Sequence, residues 1–228
     1  MTDAPFPTPD LPGTTVSVVP GPAADCPLCP RLVAYRQRNR QENPDWFNAP
    51  VPSFGDPAAA LLIVGMAPGV RGANRTGRPF TGDHAGILLY ETLLKTGLAQ
   101  GHYAAHAKDG LTLANCRIAN AVRCVPPANL PEPAEVTACN RFLAAELQAM
   151  PNLRAVLALG VLAHAAVLKA CGMPATRIRF RHGDIHELPD GLLLADSYHV
   201  SRYNTNTGRL TAEMFRTVLD RLLARIAT

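Results

Sequence analysis

Residues 60–65, ALLIVG, form an unbroken apolar run of strand length that stops at the Gly/Pro loop MAPG. A run with no polar alternation suits a strand covered on both faces, as in the parallel sheets of α/β proteins. Comparable strands are expected at Arg117 to Cys124, at Ala155 to Gly160 and at Leu192 to Asp196. Helical periodicity fills the intervals: His84 to Thr96, Pro133 to Met150 with Val136, Leu143 and Met150 on one stripe, and Val161 to Ala170. A final helix carries Phe215, Val218, Leu219, Leu222, Leu223 and Ile226 at helical spacing. This alternation predicts a three-layer α/β/α sandwich around a central four-stranded parallel sheet. In such sheets ligands bind in the crevice outside the strand carboxyl ends.

Upstream, six prolines crowd residues 1–25, which read as a flexible Pro-rich arm. A helix from Arg31 to Glu42 should stop near Asn43-Pro44, because proline pushes its predecessor out of the α region. Residues 26–228 are then expected to form one domain, a size the 228-residue length allows. With 47% hydrophobic and 18% charged residues the chain is neither disordered nor membrane-spanning. The N-terminus lacks the basic start and apolar stretch of a signal peptide, so a reducing cytoplasmic setting without structural disulfides is expected for the six cysteines. A net charge of +4 tilts only weakly toward a polyanionic partner. The 22 basic residues comprise nineteen Arg and three Lys, which suits forked contacts to phosphates but equally follows from a GC-rich genome.

Three segments that follow strands carry chemistry-bearing residues. The first is GMAPGVRGANRTGRPFTGD, from Gly65 to Asp83. Small residues after a buried strand let backbone amides approach a ligand, but a Walker lysine and a G-x-G-x-x-G pattern are both missing, which disfavours nucleotide triphosphates. Phe80 offers a ring for stacking on a flat base, or anchors its own loop. Asp83 stands directly before an expected helix, where aspartate is a favoured N-cap, and it could also assist a reaction. The second segment is NAVRC, ending in Cys124. The third is SYHVSRYNTNTGRL, where His199 stands among hydroxyls, amides and two arginines, a grouping suited to a phosphate backbone and to charge on a leaving group. Cys26-Pro-Leu-Cys29 could be half of a zinc site, a redox pair or neither. With Cys124 and Cys139 it would offer four thiolates, enough for tetrahedral zinc or a [4Fe–4S] cluster, at spacings that match no zinc ribbon. Cys171 reads as a core residue.

Taken in order, the C-x2-C pair, GMAPG with NRTGRPFTGD, NAVRCVPP with a later Cys, and HVS-x2-N-x2-TGRL resemble the iron–sulfur uracil-DNA glycosylases, most closely the type-five or B type. The resemblance spans residues 26 to 226. It implies a cluster held by Cys26, Cys29, Cys124 and Cys139 that pins loops near the DNA. It further implies that Asn120 reads the base, that Phe80 stacks on it, and that His199 stabilises negative charge on the base O2. Gly65, Met66, Ala67, Pro68 and Gly69 would border the base, and Arg75, Ser201, Arg202, Asn204, Asn206 and Arg209 would meet the DNA. The loop Met66–Gly69 lacks the carboxylate or Asn that other branches use to orient water. Asp83 matches the aspartate of the type-five pattern and takes that role by resemblance, together with the cap. The expected activity is monofunctional removal of uracil, and of other deaminated bases such as hypoxanthine, from DNA by base flipping and hydrolysis. The expected partner is DNA containing such bases, with no membrane involvement, and the chain is expected to act as a monomer. Rival readings are a lesion-binding module without catalysis and a zinc-binding hydrolase.

Overall fold

The computed structural model describes residues 21–227, so most of the expected Pro-rich arm lies outside the described residues. In chain order the elements are α1 (Pro30–Glu42), β1 (Phe54–Gly55), β2 (Leu61–Gly65), α2 (Ala73–Thr76), α3 (His84–Lys95), β3 (Ala99–Gln100), β4 (Thr112–Leu113) and β5 (Cys116–Asn120). A 3-10 turn at Pro127–Asn129 leads to α4 (Pro133–Ala149), β6 (Ala155–Leu159), α5 (Val161–Ala170), β7 (Ile185–Glu187), β8 (Leu193–Ser197), α6 (Arg202–Asn206) and α7 (Ala212–Ala227).

The main sheet has six strands in the order β1-β5-β2-β6-β8-β7. Its four inner strands are parallel, as the apolar runs demand, while β1 and β7 add short antiparallel edges that the four-strand expectation lacks. The second strand also stops earlier than expected, at Asn120 rather than Cys124. Beyond it Ala121 and Val122 donate to Gly65 O and Met66 O, so the apolar run continues as a loop bonded to the loop after β2.

Alternate residues of each inner strand face opposite helical layers. Leu61, Ile63, Ile118 and Leu157 pack with Leu89, Leu93, Phe215 and Leu219 of α3 and α7. Leu62, Val64, Val156 and Leu194 pack with Leu143, Ala163 and Val167 of α4 and α5. Each fully buried Leu, Ile or Val contributes about 1.5–3 kcal/mol, so this double-sided core is what makes the strand ends rigid. The chain leaves β2 for β5 on one side and returns to β6 on the other. The strand order reverses between β2 and β6, which opens a crevice at the carboxyl ends of the inner strands.

Candidate active site

Gly65 and Asn120 end neighbouring parallel strands and stand opposite one another in register. A Cβ on Gly65 would lie 2.5 Å from the Phe80 ring and 2.6 Å from Asn120 Oδ1, so only glycine lets these two groups come together. Phe80 is buried and has φ of +56°, a left-handed backbone uncommon outside glycine. That conformation is held from several sides. Tyr103 OH donates to Phe80 O (3.1 Å) and Tyr90 OH to Pro79 O (2.7 Å). Arg78 makes a two-pronged buried ion pair with Asp109, at 2.7 Å on each prong.

A cavity of about 30 Å³ lies beneath this loop, walled by Ala67, Pro68, Gly69, Phe80, Asp83, Asn120 and His199, together with Ala73 and Ala85. Seven expected site residues thus converge. Met66 is not in the wall; its carbonyl accepts from Val122. The Asn120 amide is buried and has no hydrogen-bond partner among the described residues, which leaves both its donor and its acceptor for a ligand.

Asp83 has the extended backbone of an N-cap (φ −132°, ψ 173°), yet no hydrogen bond of good geometry reaches its carboxylate from the first turn of α3. Burial pushes the carboxyl above its ordinary range, against the opposing pull of the nearby Gly86 and Ala85 amides. Oδ1 is buried without a partner. Oδ2 lies where a Cβ on Gly72 would come within 2.2 Å, so that glycine is what admits the carboxylate to the loop.

His199 follows β8. Its ring lies 6.2 Å from that of Phe80, tilted by 33°, and burial lowers its pKa, so the imidazole is neutral near pH 7 and still carries one N–H donor. The turn that carries it is held by Asn204, whose Nδ2 donates to His199 O (2.8 Å), and Ser201 Oγ caps α6 by accepting from Asn204 N. His84 Nε2 and Thr205 Oγ1, 3.0 Å apart, link this turn to α3. Arg202 and Asn206 are exposed on α6, and Arg75 is exposed on α2 beside Gly82, outside the cavity wall. Tyr203, which the motif reading passed over, is 70% exposed on the same turn. Motif reading also passed over Arg179, Arg181 and His182, which with Arg209 line a groove of about 470 Å³ on the far side of His199. The repeated arginines of RIRFRH were their signal in the sequence.

Cys26, Cys29, Cys124 and Cys139 line one hollow between α1 and α4, with Leu32, Val122 and Phe142 as apolar neighbours. All four are free thiols. Burial pushes Cys29 and Cys124 up to about 11. Donors aim at the sulfurs: Arg36 Nη1 at Cys124 Sγ (3.5 Å) and Arg123 N at Cys139 Sγ (3.4 Å). Among the described residues no three His, Cys, Asp or Glu side chains are placed to hold a single metal ion. Four cysteine thiolates in one largely apolar hollow are a donor set that fits a [4Fe–4S] cluster, and tetrahedral zinc takes the same ligands. Around the hollow, Arg31 binds Glu135 (2.7 Å) and Glu132, tying α1 to α4. Arg123 and Arg117 converge on the fully buried Glu146. Cys171, expected in the core, is half-buried against the α4 and α5 layer. A cavity of about 830 Å³ lies at the other end of the sheet, between Arg154 and Leu193, and of these groups only Cys171 lines it.

A family model described as the uracil DNA glycosylase superfamily matches residues 52–223. The chain is 48% identical over 200 residues to a type-5 uracil-DNA glycosylase of Thermus thermophilus, covering 85% of this chain and 90% of that relative. It is 43% identical over 204 residues to a type-5 uracil-DNA glycosylase of Pyrobaculum aerophilum, covering 88% of each. It is 33% identical over 140 residues to a type-4 uracil-DNA glycosylase of Archaeoglobus fulgidus, covering 60% of this chain and 62% of that relative.

Proposed function

The chain belongs to the uracil DNA glycosylase superfamily, and from that premise we propose that it excises uracil from DNA by hydrolysing the bond between base and deoxyribose. One observation carries the reading for these residues: Phe80, Asn120, Asp83 and His199 wall a single cavity at the strand ends. A flipped base entering it would lie against the Phe80 ring, with the Asn120 amide facing its N3–H and O4 edge. As the glycosyl bond breaks, electrons move onto the base. A neutral His199 N–H and the Asn120 amide then stabilise the developing oxyanion. Asp83, its Oδ1 without a partner, orients the attacking water and faces the positive charge building on the sugar. Unpairing costs a few kcal/mol, least at a mispaired uracil, which supplies part of the selectivity.

The loop Met66–Gly69 brings no polar side chain to the base, so the proposal includes hypoxanthine and other deaminated bases as substrates. Lys95, Lys108 and Lys169 lie outside the cavity wall, so the activity is monofunctional and leaves an abasic site. Arg75, Ser201, Arg202, Asn206 and Arg209 lie toward the DNA in this reading. Cys26, Cys29, Cys124 and Cys139 would hold a [4Fe–4S] cluster. When bound it supplies a cross-link that fixes the segment after β5 and the N-terminus of α1, not electrons for the reaction. The single domain acts as a monomer in the cytoplasm, a reducing compartment in which thiolate ligands persist.

The test is single-turnover excision from a uracil-containing oligonucleotide, read as strand breakage in hot alkali. Cleavage at uracil, no adduct trapped by borohydride, and a brown protein absorbing near ~400 nm are expected for this enzyme and its cysteine-held cluster. Binding without breakage would leave the lesion-binding reading, and a colourless zinc protein would overturn the cluster assignment.

A further inference from the structure

His199 belongs to two compartments. One is the small cavity that receives the base. The other is the 470 Å³ groove, walled by Arg179, Phe180, Arg181, His182, Tyr198 and Arg209, in which the described residues place no carboxylate. Arg179 and Arg181 are exposed, and the nearest carboxylate to Arg181 is Asp184, 3.9 Å away.

This groove is built, not a chance pairing of surface arginines. Residues 178–184 are fastened to β8 by a buried hub. Asp196 is fully buried, and its Oδ1 lies 2.7 Å from His164 Nδ1. His164 Nε2 faces Ile178 O at 2.9 Å. Both ring nitrogens of His164 therefore face acceptors, the arrangement of a doubly protonated imidazolium. Asp196 Oδ2 accepts from Arg181 N (3.2 Å), and Asp196 O from Gly183 N (2.8 Å). At the next step of the ladder Tyr198 N donates to His182 Nδ1 (3.1 Å), which places the proton of a neutral His182 on Nε2, as a donor. The arginines thus ride on a segment whose backbone is set by β8, the strand that leads into His199.

The same wall bears on what the groove can read. The Tyr198 ring is already stacked by His182 (4.7 Å, 7° between planes) and by the Arg209 guanidinium (4.5 Å). With two flat groups on that ring, and with Phe180 packed edge-on to His164 (5.8 Å, 84°) and tilted against Tyr198 (6.1 Å, 47°), the groove presents mainly cations and donors. Such a lining reads backbone and not sequence.

We propose that this groove grips the phosphodiester backbone of the DNA strand immediately flanking the extruded nucleotide, with Arg179 and Arg181 on its phosphates, and that it does so without reading the bases. The inference rests on the glycosylase reading and extends it to residues outside the recognised motifs. His199, shared by the two compartments, marks where the strand turns from one into the other.

The test uses the wild-type chain, Arg179→Ala, Arg181→Ala, the double variant, and Arg216→Ala on α7 as a control. Affinity for a duplex carrying an abasic analogue is read by fluorescence anisotropy across a salt series. Each groove variant should flatten the slope of log K against log salt by about 0.9, a loss of about 8-fold near 0.1 M salt, and the double variant should lose about 60-fold. The loss should be equal for duplexes of different flanking sequence, and single-turnover excision at saturating enzyme should stay within about twofold of wild type. Both arginines are exposed, so unchanged melting should accompany the loss. An unchanged slope, a loss that depends on the flanking bases, or an equal loss in Arg216→Ala overturns the proposal. A wild-type chain that binds the duplex but excises nothing overturns the glycosylase reading instead, and the slopes still decide the groove.

Discussion

The base cavity and the cysteine hollow sit side by side at the strand ends and treat polar groups in opposite ways. In the cavity Asp83 Oδ1 is buried without a partner, and the Asn120 amide and the His199 ring make no side-chain hydrogen bond among the described residues. In and around the hollow, Arg31, Arg36 and Arg123 are each anchored by carboxylate, carbonyl or sulfur, with only the Nε of Arg36 and of Arg123 left over. Buried polar groups are ordinarily satisfied from within the protein, so unengaged groups gathered around one cavity mark where a ligand can supply the partner. The anchored guanidiniums mark scaffold. Removing a group should therefore cost rate on one side and stability on the other.

The largest effect tests the scaffold side. Glu146→Ala leaves Arg117 and Arg123 without their shared counter-charge and should lower unfolding free energy by about 3–5 kcal/mol in denaturant titration. Excision per folded molecule should stay within a few fold. Next, Asn120→Ala and His199→Ala should each slow single-turnover excision about 10²–10³-fold while melting and DNA affinity hold. An equal loss of binding and rate would recast those two as positioning groups and dissolve the contrast.

Asp83 lies on the boundary between the two kinds of site. Burial raises its pKa, so the folded state holds this proton more tightly than the unfolded chain and the ionised carboxylate is a stability cost at neutral pH. Asp83→Asn should accordingly melt no lower, and should slow excision at least about 10²-fold. A cap would give the reverse, a loss of about 1 kcal/mol of stability with activity kept. The smallest effect concerns the hub behind the groove. Burial works against the charged form of His164, but its hydrogen bonds to Asp196 and Ile178 win and raise its pKa. Its contribution to stability is then complete below about pH 6.5, the unfolded value, and declines as pH rises through the higher folded value. His164→Gln should erase that decline in a pH series of melting temperatures.

Much of this architecture was legible beforehand because the four inner strands are covered on both faces and so spell continuous apolar runs. The edges β1 and β7 have two and three residues, too few for any periodicity to register. The run from Arg117 overshot because Ala121 and Val122 are as buried as the strand itself, Ala121 against the α4 and α5 layer and Val122 in the cysteine lobe, while their amides bond the loop after β2. The cavity was readable because its residues come in short motifs after strands. Glu146 was not, since an acid in the last turn of a helix looks like an ordinary solvated face. The Arg78–Asp109 pair joins residues 31 apart, with nothing local to announce it. Arg179 and Arg181 resembled a solvated segment because the hub that positions them comes from His164 and Asp196, which lie elsewhere in the chain.

The shared imidazole has a practical consequence for chemical probes. A small-molecule mimic of uracil would engage one compartment, and a phosphonate the other, each with the modest grip of a fragment. Joined by a short linker bent over that ring, the two would act as one bivalent inhibitor whose gain depends on the linker matching the span.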